Sequence, residues 1–371
     1  MHSYQHNGKV IIILYNINYE LFVLILPTLC YNISNMLGGK RVERLKKHLL
    51  LLLVSIMLVT LVGCGQSSKS GDGANDTADK KEIKIGFAQM CNDVAWKIAE
   101  TNSVKAEIEK RGYQMVFTDA QWKTEKQVTD IEDLITQGVD YILLAPNDYE
   151  GYTSALESAK EAGIPVIVMD REVKGKVGVD FVTCISSDFV WEGQQCAEWL
   201  QAKKGEKGGK MRIVEITGTP GASVTRDRSN GFKKVVDADK DMEIIVSQVG
   251  DFDRATAEKV MTNIIQSTGG KFDAVYCHDD EMSLGAIKAL KAAGIAPTKD
   301  VFVVAIDGQK AGKESIEKGE LSAVVTCTPV LGSYALEVID KLVAKEKVEP
   351  RIYVKDYIYD ASNIKEYQNA F

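Results

Sequence analysis

Acidic, basic and aromatic side chains occur in combinations that suit ligand binding better than catalysis. Asp170 is followed directly by Arg171, Asp307 by a glycine, and Arg228 lies just before a Gly-Phe pair. A carboxylate accepts hydrogen bonds from hydroxyl groups, and a guanidinium donates several in a fixed fork. An aromatic ring such as that of Trp96 can cover the apolar face of a ring-shaped ligand. These groups together suit a molecule with several hydroxyl groups, such as a monosaccharide.

Histidine and cysteine usage argues against a catalytic group or a metal site. Of the 4 histidines, only His278 lies after residue 64, so a Ser-His-Asp or Cys-His group would depend on that one residue. A multi-histidine metal site is not available. The 7 cysteines form no C-x-x-C pair, and their spacing does not demand a disulfide. We therefore expect no metal and no cofactor.

Size and charge restrict the class of partner. The chain has 371 residues, 45% of them hydrophobic, and a formal net charge of −7. Such a length can bury a large core and favours two domains. Basic residues outnumber acidic ones before residue 64, so the rest of the chain is more acidic than the whole. An acidic body without a long basic stripe argues against nucleic acid as the partner.

Residues 36–63 have the pattern of an export signal. A basic run (40–48) is followed by an apolar run of about fourteen residues, shorter than the roughly 20 needed to span a bilayer. Leu-Val-Gly-Cys64 at its end resembles the lipobox of bacterial lipoproteins, which implies lipidation of Cys64. We interpret residues 1–35 as a mis-called upstream extension, because two export signals in series make little sense. Residues 64–81 are small and polar and predict a flexible tether.

The remainder alternates between strand and helix patterns. Short Val/Ile-rich segments are separated by amphipathic segments that stop at glycine, which indicates parallel βαβ units. The predicted strands are 83–88, 113–117, 141–145, 165–169, 212–216, 244–249, 274–276, 301–306 and 323–326. The predicted helices are 94–110, 124–136, 149–162, 189–203, 223–238, 254–268, 281–293, 312–318 and 331–345. Two successive α/β halves predict two doubly wound parallel sheets with a cleft between them.

Ligands of such sheets bind beyond the carboxyl ends of the strands. The candidate ligand-binding residues therefore follow predicted strands: Asn92, Trp96, Asp170, Arg171, Arg228, Asp279, Asp307 and Cys327. Asp279 and Asp280 also precede a helix, where acidic residues are favoured as N-caps. We expect Asp280 to be the cap and Asp279 to face the cleft.

Five segments carry a family likeness: 85–89 (IGFAQ), 169–171 (MDR), 221–232 (GASVTRDRSNGF), 278–286 (HDDEMSLGA) and 305–308 (AIDG). In this order they resemble the type 1 periplasmic sugar-binding proteins of the ribose-binding group. Segments 96–102 (WKIAETN), 218–224 (GTPGASV) and 247–252 (SQVGDF) are similar to members that bind galactofuranose. The resemblance implies a monomer that binds a sugar and delivers it to an ABC permease. It also implies a location outside the cytoplasm, at the outer face of the cell membrane.

The resemblance assigns roles to individual residues. Asp170 and Arg171 match the Asp-Arg pair that binds adjacent sugar hydroxyls, and Arg228 and Asp307 match two further ligand residues. Trp96 lies where galactofuranose binders have an aromatic side chain against the ring. The chain departs from the family at two positions: Asp279 replaces the usual Asn, and Cys327 replaces Gln or Glu. These changes leave the identity of the sugar open, with galactofuranose or galactose as the first choice.

The implied fold has two lobes joined by three hinge segments. We predict an N-terminal lobe from residues 82–187 and 328–356, and a C-terminal lobe from 188–327 and 357–371. The hinges are expected near 186–188, 327–328 and 354–357. Closure of such lobes on a ligand is a common binding motion.

Three alternatives follow from the same sequence. A sugar-processing enzyme could use Asp170 and Asp307 as acid and base, but neighbouring arginines are expected to keep both ionised. A transcriptional regulator would need a helix-turn-helix before residue 83, where the sequence has an export signal instead. A subunit that presents sugar to a membrane receptor or histidine kinase shares all these features, and the sequence does not separate it from a transport protein.

Overall fold

The computed structural model describes residues 83–371. The predicted upstream extension, export signal, tether and lipidated Cys64 lie outside the described residues. Among the helices within residues 83–371, none has the length and apolar character needed to cross a membrane.

Strands and helices alternate along the described chain, and we number them in chain order. The strands are β1 (Lys84–Gln89), β2 (Gln114–Asp119), β3 (Tyr141–Ala145), β4 (Val166–Met169), β5 (Thr183–Ser187), β6 (Met211–Thr217), β7 (Met242–Val249), β8 (Ala274–Cys277), β9 (Phe302–Asp307), β10 (Ala323–Thr326), β11 (Arg351–Val354) and β12 (Ile358–Asp360). The helices are α1 (Ala95–Lys110), α2 (Thr124–Thr136), α3 (Thr153–Glu161), α4 (Phe189–Lys203), α5 (Ser223–Ala238), α6 (Arg254–Thr268), α7 (Asp280–Ala292), α8 (Lys310–Glu317) and α9 (Gly332–Val343). Helices α2, α4, α5 and α6 have the predicted bounds.

The strands form two six-stranded sheets. The first has the order β11-β5-β4-β3-β1-β2, and all its pairings are parallel. The second has the order β12-β10-β9-β8-β6-β7 and is parallel except for β12, which runs antiparallel to β10. The predicted arrangement of two doubly wound parallel sheets is confirmed.

Both faces of each sheet are covered, which explains the continuous hydrophobic strands. In the first sheet, Ile85 and Leu143 pack against α1 and α9, whereas Ile142 and Leu144 pack on the opposite face against α2 and α3. The second sheet has the same two-sided arrangement, with α4 and α5 on one face and α6 and α7 on the other. Successive side chains point to opposite faces, so a buried strand needs an apolar residue at every position.

The chain passes between the sheets three times. The passages follow β5, β10 and β11, close to the three predicted hinge segments. The predicted strands did not include β5, β11 or β12, although the hinge segments predicted near 186–188 and 354–357 overlap the ends of β5 and β11. Strand β5 reads Thr-Cys-Ile-Ser-Ser and is fully buried, although only two of its residues are apolar. Strand β12 has 3 residues and forms only because β10 pairs with it.

Candidate ligand-binding site

The carboxyl ends of strands from both sheets line one cavity of about 320 Å³. This volume lies at the lower end of the roughly 300–1,000 Å³ that small-molecule sites occupy. Its lining includes most of the predicted residues: Trp96, Asp170, Arg171, Arg228, Asp279, Asp307 and Cys327. Further lining residues are Asp93, Lys97, Trp122, Val224, Phe252, Asp253, Arg254, Glu281 and Gln309. The fold therefore brings together seven side chains that are up to 231 residues apart in sequence.

Arg228 is the buried cation of the second sheet's half of the cavity. Its Nε donates to Glu192 Oε2 at 2.8 Å, and its Nη1 donates to the His278 carbonyl oxygen at 2.6 Å. Its Nη2 lies 3.6 Å from Asp307 Oδ1. The side chain of Arg228 is 3% exposed and that of Glu192 is 0% exposed. Burial raises the pKa of Glu192 to about 8 despite Arg228. The guanidinium is thus fixed in place before any ligand arrives.

Two glycines allow the helices that carry this pair to approach closely. A Cβ atom at Gly193 of α4 would lie 2.1 Å from the Arg228 carbonyl oxygen, and one at Gly231 of α5 would lie 1.9 Å from the Val190 carbonyl oxygen. A side chain at either position would push α4 and α5 apart. The close contact places Glu192 within hydrogen-bonding distance of Arg228.

Asp307 lies at the carboxyl end of β9 in an uncommon backbone conformation. Its φ is +117°, in the left-handed region that non-glycine residues rarely adopt. Gln309 Nε2 donates to Asp307 Oδ2 at 3.2 Å. Burial raises the pKa of Asp307 to about 7, although Arg228 opposes the shift. The expectation that a neighbouring arginine keeps this carboxyl fully ionised was therefore wrong, because desolvation outweighs the ion pair.

The N-cap of α7 is Asp279, and not Asp280 as predicted. Asp279 is the N-cap of α7, since its Oδ1 accepts the Met282 backbone N–H at 2.8 Å. Asp280 is fully buried, and its Oδ2 accepts the backbone N–H groups of Gly308 at 3.0 Å and Gln309 at 2.7 Å. Asp279 also lines the cavity, as predicted, while Asp280 holds the turn that follows Asp307.

The first sheet contributes a buried chain of ion pairs. Lys97 Nζ donates to Asp170 Oδ2 at 2.7 Å and to Glu100 Oε2 at 2.9 Å, and its side chain is 4% exposed. Arg171 Nη1 donates to the Asn147 carbonyl oxygen at 2.8 Å. The coulombic attraction of Asp170 and Glu100 raises the pKa of Lys97 although burial alone would lower it. An ammonium group has three donors, so one remains for a ligand.

Aromatic rings from both lobes border the cavity. The Trp96 indole N–H donates to the Cys327 carbonyl oxygen at 2.9 Å, a bond that joins α1 to the end of β10. Phe252 lies beneath the Arg171 guanidinium, 5.6 Å from ring centroid to Cζ. Trp122 is 39% exposed, and its indole N–H donates to Asp93 Oδ1 at 3.0 Å. An apolar ring face of a ligand can therefore be covered from more than one side.

Two predicted residues have less direct roles. Cys327 lines the cavity, its backbone N–H donates to the Asp307 carbonyl oxygen at 3.0 Å, and its side chain is a hydrogen-bond partner of the buried Glu192. Burial raises the pKa of its thiol. Asn92 does not line the cavity, and its buried Oδ1 has no hydrogen-bond partner among residues 83–371. The geometry therefore does not support a ligand contact for Asn92.

Sequence reasoning missed Lys97, Phe252 and Gln309. Lys97, in the first turn of α1, and Phe252, in the loop after β7, both follow the carboxyl end of a strand, but an isolated lysine or phenylalanine gave no reason to select it. Gln309 lies just beyond the Asp307 turn. A signal was present for Lys97: a lysine three residues before Glu100 on a helix can form an ion pair.

His278 has a structural role. It is fully buried; its Nε2 lies 3.1 Å from Glu215 Oε1, and the Gly218 N–H donates to its Nδ1 at 3.4 Å. Burial lowers the pKa of the imidazole. Within residues 83–371 no group of three or more His, Cys, Asp or Glu side chains has the arrangement of a metal site.

Comparisons with known proteins agree with this geometry. The model of the periplasmic binding protein domain family matches residues 85–347. The chain is 36% identical over 261 residues to the galactofuranose-binding protein of Escherichia coli K12, which covers 70% of this chain and 81% of that protein. It is 35% identical over 302 residues to the ribose import binding protein of Bacillus subtilis 168, and the match covers 81% of this chain and 94% of that protein. Among solved structures, the chain is similar to the periplasmic binding component of an arabinose ABC transporter from Shewanella sp. ANA-3, bound to arabinofuranose. The TM-score is 0.73 at 34% identity, and the match covers 76% of this chain and 94% of that chain.

Proposed function

This chain belongs to the periplasmic binding protein family, among the sugar-binding proteins of ABC importers, and from that membership we propose that it captures a galactose-like monosaccharide and delivers it to a permease. The relatives are sugar-binding import proteins rather than enzymes, which confirms the prediction that this chain is not an enzyme. The family acts outside the cytoplasm, in agreement with the export signal.

One observation carries the proposal: both sheets direct charged side chains at a single cavity. Asp170 and Arg171 come from the first sheet, and Arg228, Asp279 and Asp307 come from the second. Carboxylates accept from sugar hydroxyls, and guanidinium groups donate to sugar oxygens. Because the two sets lie on different lobes, a bound sugar would join them.

Contacts across the cleft support a closing motion. The Glu172 backbone N–H, beyond β4, donates to Ser223 Oγ on α5 at 2.9 Å, and the Glu172 carboxylate lies 3.2 Å from Arg226 Nη2. The Trp96–Cys327 hydrogen bond also joins the lobes. These three contacts are polar, and such contacts can be exchanged for contacts with water when the lobes open.

The furanose ring form is our first choice for the sugar. Two of the similar proteins are named for binding furanose sugars, galactofuranose and arabinofuranose. Trp96 and Phe252 provide the aromatic surfaces that would cover such a ring. We propose in addition that Cys64 is lipidated and anchors the protein at the outer face of the membrane, with residues 64–81 as the tether.

A calorimetric titration of the purified full-length protein tests the sugar assignment. The ligands are galactose, synthetic methyl galactofuranosides, arabinose and ribose. We expect binding of at least one, lost in Arg171→Ala and retained in the control Arg212→Ala. Arg212 is an exposed residue of β6 that pairs with Asp273 at 3.0 Å, away from the cavity. Absence of binding for every sugar, or equal loss in both variants, would contradict the proposal.

Membrane fractionation tests the anchor separately. The variant Cys64→Ser should be found in the soluble fraction, whereas the control Ser68→Ala, in the predicted tether, should remain with the membrane. If Cys64→Ser stays in the membrane fraction like the unmodified chain, the lipid anchor is wrong. That result would leave the sugar assignment intact.

A further inference from the structure

The two halves of the cavity differ in charge balance. In the half formed by the first sheet, Lys97 and Arg171 face Asp170 and Glu100, and the Asp93 carboxylate accepts from Trp122, so two cations face three carboxyl groups. In the half formed by the second sheet, Arg228 is paired with Glu192 at 2.8 Å and with Asp307 at 3.6 Å, and Asp279 lines the same space. The lining of this half also contains Asp253, Glu281 and Arg254, which pairs with Glu281 at 2.8 Å. Two cations there face five carboxyl groups.

Asp279 is the carboxyl group with the least compensation. Only Oδ1 is used, as the acceptor of the Met282 N–H. Its Oδ2 has no hydrogen-bond partner, and the side chain has no ion pair, within residues 83–371. The residue is 6% exposed and lines the cavity. Oδ2 is therefore an acceptor at the edge of the ligand space that takes no hydrogen bond from residues 83–371.

The groups around Asp279 do not neutralise it. Asp307 at the end of β9 repels its charge, Glu281 on its own helix does the same, and Arg228 on α5 attracts it. Asp280 is buried on the same helix and is a further acid. Arg228 already has two acidic partners. A buried ionised carboxyl without a cation is costly, so this half of the cavity needs either a proton or a positively charged group from the ligand.

Resting on the proposed function, we propose that the monosaccharide taken by this site carries a protonated amino group, which pairs with Asp279 Oδ2. An ammonium group offers donors and no acceptor, which matches an acceptor-only carboxylate. It also supplies the positive charge that the second half of the cavity lacks. Related proteins usually have an asparagine at this position. An asparagine amide is neutral, so it would give an ammonium group no negative charge to pair with.

The test compares matched sugars by titration calorimetry on the full-length protein. The probes are galactosamine and 6-amino-6-deoxygalactose, against galactose and N-acetylgalactosamine as uncharged counterparts. We expect at least one amino sugar to bind about tenfold more tightly than galactose, which corresponds to about 1.4 kcal/mol. A hydrogen bond to a charged group exceeds a neutral one by about that much. Galactose binding as tightly as both amino sugars would overturn the proposal.

The variant Asp279→Asn tests the residue. Asparagine caps helices as well as aspartate does, so the fold and the Met282 hydrogen bond should persist. The preference for the amino sugar should disappear in Asp279→Asn and persist in Asp300→Asn, an exposed aspartate away from the cavity whose Oδ2 also accepts a backbone N–H, that of Ala296, at 2.7 Å. A preference unchanged in Asp279→Asn would overturn the assignment.

A second readout does not depend on any variant. Burial raises the pKa of Asp279 above its usual range, and an ammonium group beside the carboxylate would lower it again. The binding enthalpy of the amino sugar should therefore depend on the ionisation enthalpy of the buffer, whereas that of galactose should not. Identical buffer dependence for both sugars would overturn the proposal.

The outcomes separate this proposal from the proposed function. If neither amino nor neutral sugars bind, the sugar assignment itself fails. If neutral sugars bind at least as tightly as amino sugars, the sugar assignment stands and only the ammonium proposal fails.

Discussion

The ligand-free protein should lose stability as the pH rises from 5 to 8, and Asp307 should account for a measurable part of that loss. Asp307 is buried and its pKa is about 7 in the folded protein, against about 3.9 in an unfolded chain. Between these values the folded state holds a proton that the unfolded state has released. Stability therefore falls with rising pH, because the folded state binds more protons.

The size of the effect follows from the shift. Each pH unit over which only the folded state holds the proton lowers the free energy of unfolding by about 1.36 kcal/mol. Because the folded state loses this proton near pH 7, the total loss between pH 5 and pH 8 is about 2.5 kcal/mol. For a body of nearly 300 residues, 1 kcal/mol changes Tm by roughly 2 °C. The contribution of Asp307 to the Tm difference between pH 5 and pH 8 is then about 5 °C.

Other groups change in the same interval, so a variant is needed to isolate Asp307. Burial raises the pKa of Glu192 to about 8 and that of Asp356 to about 6, and both add to the loss. His278 opposes it, because burial lowers its pKa and neutral histidine favours the folded state at higher pH. Glu215, with a pKa of about 2, ionises below this interval. The wild-type curve alone is therefore a sum.

The assay is thermal unfolding at pH 5, 6, 7 and 8 for the wild type, Asp307→Asn and the control Glu157→Gln, an exposed residue of α3. Asparagine tolerates positive φ and can still accept from Gln309. Between pH 5 and pH 8 the Tm of Asp307→Asn should fall by about 5 °C less than that of the wild type, and the control should parallel the wild type. Parallel curves for Asp307→Asn and the wild type would refute the argument.

Three further predictions concern packing and the ion pairs. Gly231→Ala should destabilise the protein by at least about 1–3 kcal/mol in chemical denaturation, because the added Cβ would lie 1.9 Å from the Val190 carbonyl oxygen; wild-type stability would contradict the close helix contact. Lys97→Met should lower the free energy of unfolding by about 3–5 kcal/mol in the same measurement, because two buried carboxylates lose the lysine that pairs with both. A loss below about 1 kcal/mol would contradict the importance of this ion pair. Trp96→Phe should weaken sugar binding about two- to tenfold in calorimetry, as expected for one neutral hydrogen bond, because the bond to Cys327 joins the two lobes; unchanged affinity would show that this bond does not stabilise the closed form.

The amino-acid sequence was sufficient for most of the architecture. Buried parallel strands need an apolar residue at nearly every position, and helices end at glycine, so these patterns are local and readable. Strand β5 was not among the predicted strands because it has no continuous apolar run, and it is a strand because β4 and β11 pair with it on both sides. Strand β11 is short and lies at the sheet edge, where it pairs with β5. Strand β12 was missed for the same reason, since it depends on β10.

The candidate site divides in the same way. Residues such as Asp170, Arg171 and Asp307 could be selected from sequence because parallel strands bring their carboxyl ends to one edge, wherever the residues lie along the chain. The protonation of Asp307, the capping of α7 by Asp279 rather than Asp280, and the burial of Lys97 between two carboxylates depended on the tertiary structure. Desolvation and ion pairing depend on distances between segments far apart in sequence, and only the packed lobes set those distances.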